Sequence, residues 1–144
     1  CCKSLRTTKS RMRIYFDENF SHRIASGIGE FQKARPSENV SVIWCPDEFE
    51  RGADDEEWIP QVASKHGVVL TQDLNIHRTR AQWDLCQQNK IGVFFFKPPR
   101  AGWDHWVIVR EVVNRWEEIK RIASEQKRPF GFIAEQRSKK MSRL

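Results

Sequence analysis

Residues 67–73 read Gly-Val-Val-Leu-Thr-Gln-Asp. Val68, Val69 and Leu70 are consecutive apolar β-formers, and the run ends on the polar Thr71 and Asp73. A short apolar run without alternation is the pattern of a strand covered on both faces, and such strands belong to parallel sheets. Its closing acid falls where a buried strand meets solvent. The chain repeats the arrangement near its start, where Ile14-Tyr15-Phe16 is followed by Asp17-Glu18-Asn19. Two strands that end on acids would deliver two carboxylates to one rim of a sheet.

Outward from these strands, a regular alternation follows. Met12–Phe16 reads as strand and Phe20–Phe31 as helix, capped by Ser21, with Phe20, Ile24, Ile28 and Phe31 spaced for one buried face. Val40–Trp44 is a second strand, stopped by Cys45-Pro46. Between Asp47 and Glu57 lie seven carboxylates against one Arg51, an acidic loop. A helix starts near Asp54, which with Asp55 is a candidate cap, and runs to Gly67 with Pro60 in its first two turns. The opening strand, 68–72, comes next. A helix over 80–89, a strand over 91–96 and a long helix from Trp103 to Ser124 complete the series. Trp106, Val109, Val113, Trp116 and Ile119 are spaced for the buried face of that last helix, and Phe130–Ile133 reads as an edge strand. The order β-α-β-α-β-α-β-α predicts an α/β fold of three layers, a parallel sheet of four or five strands between helices.

The length of 144 residues suits one domain with one sizeable core, and six Trp and nine Phe supply the apolar volume. Nothing approaches the roughly 18 apolar residues of a membrane span, and the start has no signal-peptide core. Cys1, Cys2, Cys45 and Cys86 show no zinc or CxxC spacing, so free thiols and a reducing, cytoplasmic setting are expected. The net charge of +6 is uneven: residues 1–13 carry +5, residues 127–144 carry +5, and the middle is −4. The expected division is a basic, disordered segment 1–11, a domain over 12–126 and a basic tail 127–144 containing the edge strand. Basic ends either hold polyanions or are simply solvated.

In open α/β sheets the site lies beyond the strand carboxyl ends, where strand order reverses. With strand one beside strand three, Asp17 and Asp73 become neighbours there. The helix after strand two brings Asp55 or Glu56 to the same rim. Three carboxylates without a paired Lys or Arg repel one another, which a bound divalent cation or raised pKa values would relieve. All-oxygen donors favour Mg2+ or Mn2+ over Zn2+. Such a centre beside basic arms suits phosphodiester hydrolysis. Each feature has a plainer reading: Asp after a strand is a common turn former or cap, and most acids of the loop are solvated surface. His77, Arg78 and Arg80 follow Asp73 as candidate phosphate contacts or as an ordinary helix start. His22 reads as a surface residue, and Trp103, Trp106 and Trp116 as packing rather than base-stacking groups.

The ordered motifs YFDEN, GADDEEWIPQVASKHG and VVLTQD resemble the PIN-like nuclease families, including the PIN-domain toxins of toxin–antitoxin modules, over residues 12–119. The resemblance implies a three-layer α/β/α fold and Mg2+- or Mn2+-dependent cleavage of RNA by clustered acids. It assigns Asp17, Asp55 and Asp73 as catalytic metal ligands, with Glu56 as understudy to Asp55. Glu18, Asn19 and Thr71 take supporting roles. It further implies RNA and a cognate antitoxin protein as partners; a homodimer is left open, and the lack of an apolar span gives no membrane partner. Many relatives carry a second acid at the position of Asn75, which offers a carbonyl but no charge. A PIN-like module that binds RNA or protein with little or no turnover is therefore the second expectation. A phosphatase or receiver-like domain is the third, because acids also end strands there and Lys97 ends strand four.

Overall fold

The computed structural model describes residues 11–72 and 80–144. Its elements follow the apolar runs closely. Strand β1 (Met12–Phe16) leads through the acid-rich turn to helix α1 (His22–Gln32), which Ser21 caps by accepting from the Arg23 amide. After a single helical turn at Pro36–Glu38 come β2 (Val40–Trp44), a one-turn helix α2 (Cys45–Glu48) and helix α3 (Asp55–Ser64). Then follow β3 (Val68–Thr71), α4 (Arg80–Gln88), β4 (Gly92–Phe96) and the long α5 (His105–Glu125). The segment after α5 forms β5 (Phe130–Ala134) and β6 (Ser142–Arg143).

The described strands form one sheet in the order β2-β1-β3-β4-β5-β6. All pairs are parallel except β5 with β6. The chain moves outward from β1 to β2, then returns to place β3 on the other side of β1. The strand order therefore reverses between β1 and β3, with Phe16 registered against Leu70.

Alternation along the strands splits the core into two layers, as a doubly covered sheet requires. Ile14, Phe16, Val68, Leu70, Phe94 and Phe96 pack beneath α1 and α5. Tyr15, Val69, Val93 and Phe95 face α2, α3 and α4 on the other side, with Phe49, Ile59 and Val62. The expected α/β sandwich is present, but its sheet has six strands instead of four or five. Phe130–Ile133 is not an edge: β5 lies between β4 and β6, because the chain turns back through residues 135–141 and adds a final antiparallel strand.

Two buried faces differ from the spacing read off the sequence. In α1, Phe31 is 73% exposed, and its neighbour Gln32 turns inward instead. The Gln32 carboxamide is held on both sides, accepting from Trp116 Nε1 at 2.8 Å and donating to Glu38 Oε1 at 3.0 Å. In α5, Trp106 and Val113 are 65% and 47% exposed, while Ile108, Val112, Trp116 and Ile119 face the sheet. The stripe keeps helical period but is rotated. It packs in one core cluster with Phe16, Phe94, Phe96 and Phe130, and Trp116 stacks on Phe16 with ring centroids 6.1 Å apart.

Candidate active site

Asp17 is the first residue beyond β1, and its amide extends the β1–β3 ladder by donating to Leu70 O at 2.9 Å. Its carboxylate therefore stands at the reversal point, at the carboxyl ends of both strands. Donors from its own turn and from β3 hold it. Glu18 N reaches Oδ1 at 2.7 Å, Thr71 Oγ1 reaches Oδ2 at 2.9 Å, and Asn19 Nδ2 reaches Oδ2 at 3.4 Å. Thr71 is fully buried at the end of β3. Asn19 bridges the strands: its Nδ2 donates to Thr71 Oγ1 at 3.1 Å and its Oδ1 accepts from Gln72 N at 3.1 Å. Residues Asp17, Asn19 and Thr71, which the sequence places on separate strand ends, are one hydrogen-bonded unit. Glu18 is exposed beside it.

The wall of the site on the side of β2 is built by α2 and the turn leading to α3. A cleft runs from Asp17 and Glu18 past the buried Cys45 to Glu50 and Trp58. Asp55 opens α3 and its Oδ1 accepts from Trp58 Nε1 at 3.0 Å. The helix caps differently from expectation. Asp54 occupies the cap position without a side-chain hydrogen bond, and Asp55 is engaged by the indole three residues on. Glu56 is exposed in the same first turn. Trp58 is the contributor that sequence reasoning overlooked, although its i+3 spacing from Asp55 was available as a signal.

The electrostatics are those of an acid-rich rim. Burial pushes the Cys45 thiol far above the ordinary range, and the charges of Asp17, Glu48 and Glu18 add to it. Burial likewise raises Cys86 to about 12, with Asp55 contributing. Burial thus disfavours the thiolate form of both cysteines. Of the seven loop acids, Glu48 is bound to the fold. It accepts from Tyr15 Oη at 2.9 Å and pairs with Arg13 and Lys65 at 3.0 Å each. His22 lies on the surface, 3.7 Å from Asp47 and tilted against Trp44.

Asp73, Asn75, His77 and Arg78 lie outside the described residues, as does the side chain of Arg80. Among the described residues no group of three or more His, Cys, Asp or Glu is close enough to hold a metal ion. The arrangement brings Asp17, Asn19 and Thr71 together, and Asp55 is held by Trp58, which lines the far end of the cleft.

The profile of the PIN-like domain family matches residues 12–98, well over half of the chain. The chain belongs to the PIN-like domain family. The matched span covers β1 through β4, and so includes the Asp17 carboxylate, the Asp55 helix and the strand that ends in Thr71. No curated protein and no solved structure matches the chain. PIN-like domains are a nuclease-type superfamily that generally uses divalent metals. The groups gathered around Asp17 suit such an ion, because they offer carboxylate, hydroxyl and amide oxygens. In this PIN-like domain α5, β5 and β6 lie beyond the matched span, yet β5 is a full member of the sheet. No helix is long and apolar enough to cross a membrane among the described residues.

Proposed function

We propose that this PIN-like domain is a Mg2+- or Mn2+-dependent endoribonuclease, the toxin half of a toxin–antitoxin pair. The observation that carries the reading is the Thr71–Asp17 hydrogen bond at the strand reversal, which immobilises a carboxylate where an α/β sheet takes its ligand. Asp17, Asp55 and Asp73 would hold the cation, with Glu56 able to replace Asp55. When bound, the cation supplies Lewis acidity and charge neutralisation to a phosphodiester.

The protein's own part is positional. Thr71 and Asn19 hold Asp17 in one rotamer, so the carboxylate pays no further ordering entropy on taking a ligand. Trp58 does the same for Asp55. His77, Arg78 and Arg80 are assigned to the RNA phosphates beyond Asp73. A cognate antitoxin and a second copy of the chain are the expected protein partners.

The test is cleavage of single-stranded RNA by the purified chain with Mg2+ or Mn2+, with and without EDTA. EDTA-sensitive cleavage that is lost in Asp17→Asn and Asp73→Asn supports the proposal, and undiminished cleavage in both variants would falsify it. RNA binding without turnover would favour the second reading, a binding module, which Asn75 motivates by leaving the site one charge poorer.

A further inference from the structure

Arg115 is a buried cation with an unfinished hydrogen-bond shell. Only 4% of the residue is exposed. Its Nε donates to Glu111 Oε2 at 2.9 Å, and its Nη2 donates to the carbonyls of Glu135 and Ser138, the former at 2.7 Å. Nη1 is buried and has no hydrogen-bond partner among the described residues. A buried donor left unpaired carries a desolvation cost, and in native proteins it commonly marks a missing water or ion.

The surroundings say which kind. Arg115 lines a surface pocket with Glu111, Asn114 and the turn Gln136–Lys139. Arg137 and Lys139 are exposed on that turn, and neither pairs with a carboxylate among the described residues. With Lys140, four cations stand against Glu111 and Glu135, one of which is already spent on Arg115. Much of the positive charge of the C-terminal segment is thus gathered on one turn instead of spread along a tail.

That turn leaves the sheet at the carboxyl end of β5, and β5 runs parallel to β4, β3 and β1. It therefore projects from the same rim as Asp17. Three strand spacings separate β1 from β5, roughly 14 Å. An extended single strand seated at the carboxylates can reach it.

We propose that Arg115, Arg137 and Lys139 form a phosphate subsite that binds the backbone of the RNA away from the scissile bond. The buried guanidinium supplies a fixed positive field at the base of the pocket, and the two exposed cations supply donors. The subsite rests on the nuclease reading for its substrate, but its residues lie outside the family-matched span and outside the carboxylate site.

The test is binding, not turnover. A short fluorescent single-stranded RNA is titrated by anisotropy in EDTA, over a range of salt, against the wild type and Arg137→Ala/Lys139→Ala. These side chains are exposed, so the fold should survive. Lys33→Ala/Arg121→Ala, at the opposite end of α1 and α5, makes the same charge change as a control. The expected result is about tenfold weaker binding and a shallower salt slope, by roughly one to one and a half, in the first variant alone. Equal losses in both variants, unchanged binding in the first, or no RNA binding by the wild type would overturn the subsite. So would selective loss of binding to an acidic peptide with RNA binding intact. A chain that cleaves RNA but fails this test keeps its nuclease assignment. One that passes yet never cleaves keeps the subsite as part of a binding module.

Discussion

Thr71 Oγ1 donates to Asp17 Oδ2 at 2.9 Å, so the last residue of β3 holds the carboxylate that follows β1. The two residues are 54 apart in sequence and meet because β3 lies beside β1, and the hydroxyl does so from a fully buried position. Thr71→Val keeps the shape and removes the donor. It should lower stability by about 1–2 kcal/mol in denaturant unfolding and reduce cleavage further than stability alone accounts for. Thr71→Ser, which restores the hydroxyl, should recover most of the activity.

Trp58 and Asp55 form the corresponding pair on the other wall, through an indole N–H at 3.0 Å. Trp58→Phe leaves a ring to pack between Phe49 and the cleft but cannot donate. The expected outcome is a near-native melting transition with cleavage reduced about tenfold, since a loosened ligand costs geometry more than folding energy. Equal activity in wild type and variant would remove Trp58 from the site.

Glu48 and Tyr15 set a pH dependence away from the site. Burial acts to raise Glu48, but hydrogen bonds from Lys65 and Tyr15 and the charge of Arg13 outweigh it and hold its carboxyl below the usual range. Its contribution is present above the unfolded carboxyl pKa and is lost as pH falls through the lower folded value. Tyr15 is raised to about 12 by burial, with Glu48 adding to the effect. Its contribution is complete below the unfolded phenol pKa near 10 and disappears as pH rises through about 12. Urea unfolding across pH should therefore show Glu48→Gln flattening the acid limb and Tyr15→Phe flattening the alkaline limb, each relative to wild type.

Gly92 tests the strand that the family match does not reach. A Cβ at Gly92 would overlap the ring of Phe130, its registered partner on β5. Gly92→Ala should destabilise the protein by about 1–3 kcal/mol, and Phe130→Leu in the same chain should return part of the loss. Additive effects of the two substitutions would mean that β5 does not sit against β4.

These residues also show what could be read from the chain. Strands β1 and β2 match their apolar runs residue for residue, because a short run of apolar and β-branched residues bounded by loop residues marks a strand without reference to its partners. The strand-end acids made a reversal between β1 and β3 worth expecting, but only as a condition, and the structure supplies the strand order and the meeting of Asp17 with Thr71. That order alone is shared with receiver-like sheets, and the family match separates the two. What the chain concealed depended on tertiary partners. Strand β6 is two polar residues whose pairing is fixed only by β5. Helix α2 begins at Cys45-Pro46 and looked like a strand stop. The rotation of α5, which exposes Trp106 and buries Arg115, is set by the aromatic surface of the sheet and the turn over it, neither of which periodicity contains.

The central claim is that Asp17, Asp55 and Asp73 gather a divalent cation at the β1–β3 reversal. Anomalous diffraction from crystals grown with Mn2+ tests it directly. The account predicts a manganese peak about 2.0–2.6 Å from carboxylate oxygens of Asp17 and its two partners, absent in Asp17→Asn. Manganese bound elsewhere with the Asp17 carboxylate uncoordinated, or an unchanged peak in the variant, would contradict it.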